Sequence, residues 1–560
     1  MAAATAGTAA GRPGGTGPRP RLPVRGTGTA RAPAACAWLA GTGAAFAVYL
    51  RLAQTRAVNS DGASQALQAW DMLHGNPLLR GWTVSDVSFY TTELPQYALV
   101  ELVRGLRADV VDIAAAMTYT LAVVLAALLA KGTATGRQAL ARVALAAGIM
   151  LAPQLGSGTN VLLSSPDHIG TSVPLLLTWL VLDRGGRRWY VPVITSVLLA
   201  WTEVADSIAA VAGIIPLAVV CLARAAGTAR AAGTARTART ALARTGRDVR
   251  FELALAGGAL AAAVAAHWVL RAITACGGFT VRPLSTQVAP LSEIFLHNLP
   301  AAARCVLVLF GADATGPPTS PATFFLLPHL AGAVLAAAGA WLAARRIRRN
   351  GDLVSQVLLA AVAVNLGAFL VTERVVQAGS AREIAPVLPF AAALAARELS
   401  PVLARTRPWP AGFLLILVGI GYLGGLGLEL TAPAAPAQGA ALTAWLESHR
   451  LAGAGLGGYW QASVVTLTSG GTVAVRPIAD AGPGVGQHPG EVKSAWFDPR
   501  SSAARFVVLS PSEPEYPGYA DYRAVRATWG APARVYRVGQ DTIWYWPQKN
   551  LLSSIDKGQS

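Results

Sequence analysis

Between Asn59 and Tyr97 the sequence reads NSDGASQALQAWDMLHGNPLLRGWTVSDVSFYTTELPQY, gathering Asp61, Asp71, Asp86, Glu93, His74 and Arg80 with several aromatic rings in a chain otherwise dominated by Ala, Leu and Val. Asp61, set between Asn59-Ser60 and Gly62, is a carboxylate that can serve as a general base or hold a divalent cation. The same position also suits a solvated acid or a cap for the following helix. Asp167-His168, after Ser165-Pro166, adds a second acid and a side chain able to ligate or carry a proton; capping the next helix explains Asp167 equally. Phe89 to Tyr97 supplies Glu93 among aromatics, with Tyr90 and Tyr97 suited to gripping a sugar ring and Asp86 nearby; Glu93 also suits a cap for the helix beginning near Pro95. Arg382 follows a Gly-Ser turn, where a guanidinium facing inward makes a forked contact with phosphate. Its other reading is an interface residue paired with Glu383.

These residues need a scaffold, and the composition says which. The 560-residue chain is 53% hydrophobic and 13% charged, and its apolar residues fall in blocks, the pattern of a polytopic membrane protein. The net charge of +17 comes from arginine tracts between those blocks, where cytoplasmic turns carry them, so the charge is read as topology and nucleic acid is not an expected partner. Four cysteines without CxxC spacing argue against a zinc site or redox motif. Cys276 and Cys305 fall in one outer region, as a pair or as two small apolar side chains.

Residues 1–33 lack large apolar side chains and are expected to be a disordered cytoplasmic tail. Eleven spans follow within 34–431, at about 34–53, 109–130, 139–156, 169–183, 189–203, 207–223, 252–271, 322–343, 353–371, 384–399 and 410–429. This count puts the arginine-rich turns inside and places outside the loop 54–108, which carries an amphipathic helix stopped at His74-Gly75-Asn76-Pro77. It also places outside Gly158 to His168, a tight hairpin around Glu203 and Asp206, and a turn with Glu373, Arg374, Arg382 and Glu383. Residues 224–250 read as a low-complexity cytoplasmic linker, and Leu299 to Phe310 as a helix too short to cross, lying along the membrane surface. From 432 to 560 a small extracytoplasmic α/β domain is expected, with a helix near Ala441 to Ser448 and strands at Ser463–Thr468, Thr472–Val475, Phe506–Leu509 and Thr542–Tyr545. The fold class is thus mostly α, a transmembrane helical bundle with that small C-terminal domain.

This layout resembles the GT-C superfamily of integral membrane glycosyltransferases, which use polyprenyl-phosphate-linked sugars on the outer membrane face. The matching features are the cytoplasmic N-terminus, Asp61 in the first outer loop, the amphipathic helix Ala63 to Leu73, Asp167-His168 in the second outer loop, the late Arg382 and the outer C-terminal domain. The resemblance implies Asp61 as catalytic base or metal-associated carboxylate, assisted by Asp167 and His168. Arg382 would contact the lipid phosphate; the residues themselves, beside the resemblance, add Glu93 as a further catalytic acid and Asp86, Tyr90 and Tyr97 as sugar or acceptor contacts. It also implies a polyprenyl-phosphate sugar donor, membrane lipid, and an envelope glycan, lipid or protein acceptor. The Ala/Arg-rich style looks actinobacterial. Asn-Ser-Asp-Gly stands where protein mannosyltransferases carry paired acids, so a divalent cation is left open, and no WWD motif of the oligosaccharyltransferase type is present.

Two other classes compete. A transporter or lipid flippase predicts charges near the midplane and symmetry between halves; here the acids collect on one side. A non-catalytic envelope-assembly protein would tolerate loss of Asp61.

Overall fold

Long runs of Ala, Leu and Val free of interior Pro or charge form helices because helix formers dominate them and nothing interrupts the backbone ladder. The computed structural model describes residues 31–151, 158–164, 167–234, 239–283, 286–314, 326–347, 352–375, 377–403, 408–451, 453–510 and 521–555. The expected tail 1–33 lies almost wholly outside the described residues, as does Pro166. Residues Ala45–Ser560 pack as one compact unit, and the part up to Ala44 contributes the start of the first helix.

The helices that position the site are α1 (Arg31–Ala53), α2 (Ser60–Leu73), α3 (Leu94–Arg104), α4 (Asp109–Lys131), α5 (Gly136–Ile149), α6 (Gly158–Leu163), α7 (Ser172–Gly185), α8 (Tyr190–Ala205), α9 (Ile215–Thr234) and α10 (Arg239–Ala275). After them come α11 (Leu291–Glu293), α12 (Leu299–Leu309), α13 (Leu326–Arg346), α14 (Leu353–Leu370), α15 (Val387–Leu403) and α16 (Pro408–Thr431). Seven helical stretches among the described residues are long and apolar enough to cross a membrane: Ala35–Ala53, Asp109–Lys131, Ala210–Arg230, Gly246–Ala275, Leu291–Leu309, Leu326–Arg346 and Leu353–Leu370. The other expected spans coincide with shorter helices or, for 410–429, with α16. Exposed Leu260, Val264 and Trp268 on α10, and Val334 and Trp341 on α13, are the apolar outer surface that a bilayer would cover.

Several expectations change. Leu299 to Phe310 is not a separate short helix: a π-turn at Ile294–Asn298 joins α11 to α12, making a continuous stretch of 19 residues. The Ala/Arg phrase of 224–250 is helical on both sides of 235–238, four residues that lie outside the described ones, since Ala and Arg both favour helix. Of the two readings of Cys276 and Cys305, pairing does not hold and the unpaired one does: both are free, the first exposed and the second buried.

Inside the bundle, α15 packs on α13, α5, α14 and α4. Gly339 of α13 sits directly on the Ala395 backbone, a separation with no room for a Cβ. At one end of the bundle, ion pairs join helices: Arg397 reaches Asp183 at 2.9 Å and Asp352 at 3.0 Å, Arg346 reaches Glu398 at 3.1 Å, and Arg224 reaches Glu252 at 2.9 Å.

The C-terminal region holds a six-stranded sheet in the order β5-β4-β3-β7-β9-β8. Its strands are β3 (Ala454–Gly457), β4 (Val475–Ala481), β5 (Gly484–Gln487), β7 (Ala504–Leu509), β8 (Arg534–Val538) and β9 (Asp541–Tyr545). β3 runs parallel to β4 and β7, and the remaining pairs are antiparallel. The expected strand Ser463–Thr468 is instead part of a helix, α18 (Tyr459–Thr468), which follows α17 (Ala440–His449). Its β-branched run reads as strand by propensity, but the segment is buried nearly throughout and packs between the sheet and α2, so burial overrides propensity. A second, three-stranded sheet joins β1 (Trp82–Val84) in parallel to β2 (Thr280–Val281) and antiparallel to β6 (Val492–Lys493). The first loop and the C-terminal region therefore share one ladder, with Trp82 opposite Lys493. They share a core too, since Val464 and Leu467 join Ala63, Ala66, Leu67, Tyr97 and Val111 in one buried cluster.

Candidate functional site

Asn59 caps α2, its side chain accepting from the Gly62 amide at 3.1 Å. Asp61 therefore lies in the first helical turn, where the helix dipole favours a negative charge, and the capping role falls to its neighbour. Gly62 lets α2 press against Val111 of α4, which a Cβ would meet at 2.5 Å. At the far end of α2, Asp71 is structural. It accepts from Trp82 Nε1 at 2.8 Å and from Asn76 Nδ2 at 2.6 Å, and pairs with Lys493 at 2.8 Å.

Asp61 opens onto a cleft of about 610 Å³, counted out to open solvent, lined also by Gln65, Ser85, Asp86, Val87, Phe89, Asp167, His168, Arg374, Arg382, Glu383, Tyr459 and Glu491. Five side chains anticipated from sequence thus meet in one place: Asp61, Asp86, Asp167, His168 and Arg382. They come from α2, the loop after β1, the turn before α7, and the 3-10 turn Ala378–Ile384.

Charge in the cleft is arranged in pairs. His168 is buried between two carboxylates, its Nδ1 at 2.7 Å from Asp206 Oδ2 and its Nε2 at 3.5 Å from Glu383 Oε2. Burial works against the imidazolium, but Asp206 and Glu383 outweigh it and hold the proton up to about 9. Asp206 is buried as well, which opposes its charge, yet His168, the Thr171 hydroxyl and the Ile208 amide keep its carboxyl below the usual range. Arg374 bridges Asp86 at 3.1 Å and Glu383 at 3.2 Å. Arg382 is different: its side chain is 51% exposed, and among the described residues its one ion pair is Nε to Glu383 at 4.0 Å. Asp167 is buried, and burial pushes its carboxyl up to about 7 against the opposing pull of Arg382 and His168.

Glu93, Tyr90 and Tyr97 stand outside the cleft lining. Glu93 occupies the cap position of α3 without making a side-chain cap bond. It is buried against Gly170, where a Cβ would run into its Oε1. Burial pushes its carboxyl up to about 8. With Tyr97 it lines a small separate cavity that Asp167 also borders. Tyr90 donates to the Pro77 carbonyl at 2.9 Å and its ring lies 5.0 Å from Phe279. The ionisable cleft residues not picked out as site residues in the sequence are Glu383, Arg374, Tyr459 and Glu491, together with Asp206 behind His168. Glu383, Arg374 and Asp206 were visible as acids and an arginine in turns expected outside. No local pattern marks Tyr459 or Glu491, which lie about four hundred residues from their partners.

Among the described residues no group of three or more His, Cys, Asp or Glu has the arrangement to hold a metal ion. Two of the cleft carboxylates, Asp86 and Glu383, are instead paired with Arg374, and Asp206 behind the cleft with His168.

No family model and no curated protein matches the sequence. Among solved structures, the crystal structure of the Archaeoglobus fulgidus oligosaccharyltransferase in complex with Zn and sulfate is similar, with a TM-score of 0.44 and 15% sequence identity over 81% of this chain. The chain spans 64% of the length of that protein.

Proposed function

We propose that the protein is a membrane glycosyltransferase that moves a sugar from a polyprenyl-phosphate donor to a hydroxyl of an envelope glycan, lipid or protein. The observation that carries this reading is one cleft holding a carboxylate, Asp61, and a half-exposed guanidinium, Arg382, while the second arginine is already bound by two carboxylates. A lipid-linked donor suits a chain with no glycine-rich nucleotide loop and with seven helices, among the described residues, long and apolar enough to cross a membrane.

In this mechanism the acceptor hydroxyl gives its proton to Asp61 as its oxygen bonds the anomeric carbon. The bond from that carbon to the phosphate oxygen breaks, and its electron pair leaves with polyprenyl phosphate. General-base assistance of this kind is worth about a hundred- to ten-thousandfold in rate. Arg382 takes the phosphate in a forked contact and stabilises the charge that builds on it. His168, held charged between Asp206 and Glu383, keeps the wall behind Arg382 from becoming an uncompensated block of negative charge that would repel the donor. Asp167, bordering both the cleft and the Glu93 cavity, supports the orientation of Arg382.

The test is transfer by the full-length protein in proteoliposomes, given polyprenyl-phosphate mannose, arabinose and glucose in turn, each radiolabelled, with envelope extract as acceptor. Label appearing in acceptor with release of polyprenyl phosphate is the expected result. Absence of transfer with all three donors, in protein shown to be folded, overturns the reading.

A further inference from the structure

Tyr459 begins α18 and its hydroxyl donates to Asp61 Oδ1 at 2.6 Å. Its ring stacks on His488 with centroids 4.8 Å apart and planes 18° apart, and His488 Nδ1 lies 2.6 Å from the Gly490 carbonyl oxygen. The next residue, Glu491, has φ +58, in the left-handed region that side chains other than glycine rarely adopt. Its buried carboxylate accepts from Ser64 Oγ at 2.6 Å, from Gln68 Nε2, and from the Ser85 amide at 3.0 Å.

These contacts are not scattered. Asp61, Ser64 and Gln68 are spaced i, i+3, i+7 and so lie on one face of α2, and Ser85 directly precedes Asp86. A short run of the C-terminal chain thus grips the face of α2 that carries Asp61 and the turn that carries Asp86. The strained backbone at Glu491 persists because its surroundings over-determine it, a state found where side-chain placement matters.

We infer that Tyr459 is a positioning residue for Asp61, and that Glu491 fixes the helix face on which Asp61 sits, so that the C-terminal region is a working part of the site. This rests on the reading of Asp61 as general base. With Oδ1 bound by the phenol, Oδ2 is the oxygen left free among the described residues to take the acceptor proton. The phenol keeps its own proton throughout. Tyr459 thereby selects which carboxylate oxygen works and fixes its direction, and loss of such alignment costs about tenfold to a hundredfold in turnover.

The test uses full-length protein in proteoliposomes with two independent readouts. In the first, carboxyls are labelled with a water-soluble carbodiimide and glycine ethyl ester, and Asp61 is compared with Asp86 of the same cleft by peptide mass spectrometry. Tyr459→Phe frees Oδ1 and raises Asp61 labelling by about tenfold, with Asp86 unchanged. In the second, Tyr459→Phe lowers kcat for sugar transfer by about tenfold to a hundredfold and leaves KM for the donor within about twofold. Glu491→Gln turns an amide toward three donors and speeds hydrogen exchange of the α2 amides while Tyr459→Phe does not.

Unchanged Asp61 labelling overturns the contact itself. Raised labelling with unchanged kcat overturns its role in positioning. Raised labelling in a protein that transfers no sugar from any donor overturns Asp61 as a base, and the positioning role falls with it. The function and the positioning thus fail in different ways.

Discussion

Replacing Asp206 with Asn tests the charge pairing behind the cleft. Asp206 Oδ2 meets His168 Nδ1 at 2.7 Å with both side chains buried, and Thr171 and the Ile208 amide also donate to it. The substitution keeps the shape and removes the charge, leaving Glu383 at 3.5 Å as the one ion-pair partner of the buried imidazolium among the described residues. The pairing raises His168 from 6.5 to about 9. At ~1.4 kcal/mol per pH unit, that is about 3 kcal/mol of folding stability. It agrees with the ~3–5 kcal/mol typical of removing one partner of a buried pair. The sign follows from which state binds the proton. His168's folded value is raised, so its contribution is complete below the ordinary histidine value and is lost as pH rises through about 9. Asp206's folded value is lowered, so its contribution is present above the ordinary carboxylate value and is lost as pH falls through the folded one. The penalty of Asp206→Asn is therefore largest near pH ~6 and shrinks above pH ~9 toward the ~1 kcal/mol of a neutral hydrogen bond. The assay is the unfolding free energy of purified protein in detergent, by SDS titration followed through tryptophan fluorescence, at pH values on either side of that window. A penalty equal at both ends, or none near pH ~6, refutes a charged His168–Asp206 pair.

Other outcomes follow from the same geometry. Arg382→Gln raises KM for the lipid-linked donor by about tenfold to a hundredfold, the worth of a charged hydrogen bond, and leaves the unfolding curve where it was because the side chain is half exposed; steady-state transfer with melting of the same sample reads both. Glu491→Ala leaves Ser64, Gln68 and the Ser85 amide without their acceptor and destabilises by about 3 kcal/mol. Glu491→Gly costs about 1 kcal/mol less because glycine tolerates φ +58, a difference measurable by denaturation of the two variants side by side. Gly339→Ala drives a methyl into the Ala395 backbone and costs about 1–3 kcal/mol, seen as an earlier melt with any remaining transfer unchanged in KM.

Most of the cleft was legible because its residues are polar in an apolar chain. Asp61, Asp86, Asp167, His168 and Arg382 each stand out against Ala, Leu and Val, and loops at one end of a bundle can meet without crossing it. Glu93 stood out by the same criterion, yet the chain buries it behind Gly170 and away from the cleft; polarity marks a candidate without saying which way it faces. Tyr459 and Glu491 were illegible for the opposite reason. They sit in ordinary soluble-looking sequence, and their contacts come from long-range packing, α18 against α2 for Tyr459 and β6 beside β1 for Glu491. The helix Tyr459–Thr468 misled because Val-Val-Thr-Leu-Thr favours strand locally, whereas burial against both sheet and α2 decides it. The bundle was legible in outline from hydropathy blocks. What it concealed was continuity, as in the π-turn that fuses Leu291–Leu309 and the helices that run into the Ala/Arg phrase.

The central claim is that sugar transfer depends on the Asp61 carboxylate, and Asp61→Asn asks it directly, keeping the cap at Asn59 and the size of the side chain while removing the base. Wild type and variant, matched for amount and for melting behaviour, are given the same radiolabelled polyprenyl-phosphate donor and envelope acceptor. The account predicts transfer by wild type and a loss of at least about a hundredfold in the variant, with donor binding retained. Equal transfer by both would contradict it and remove Asp61 from the chemistry.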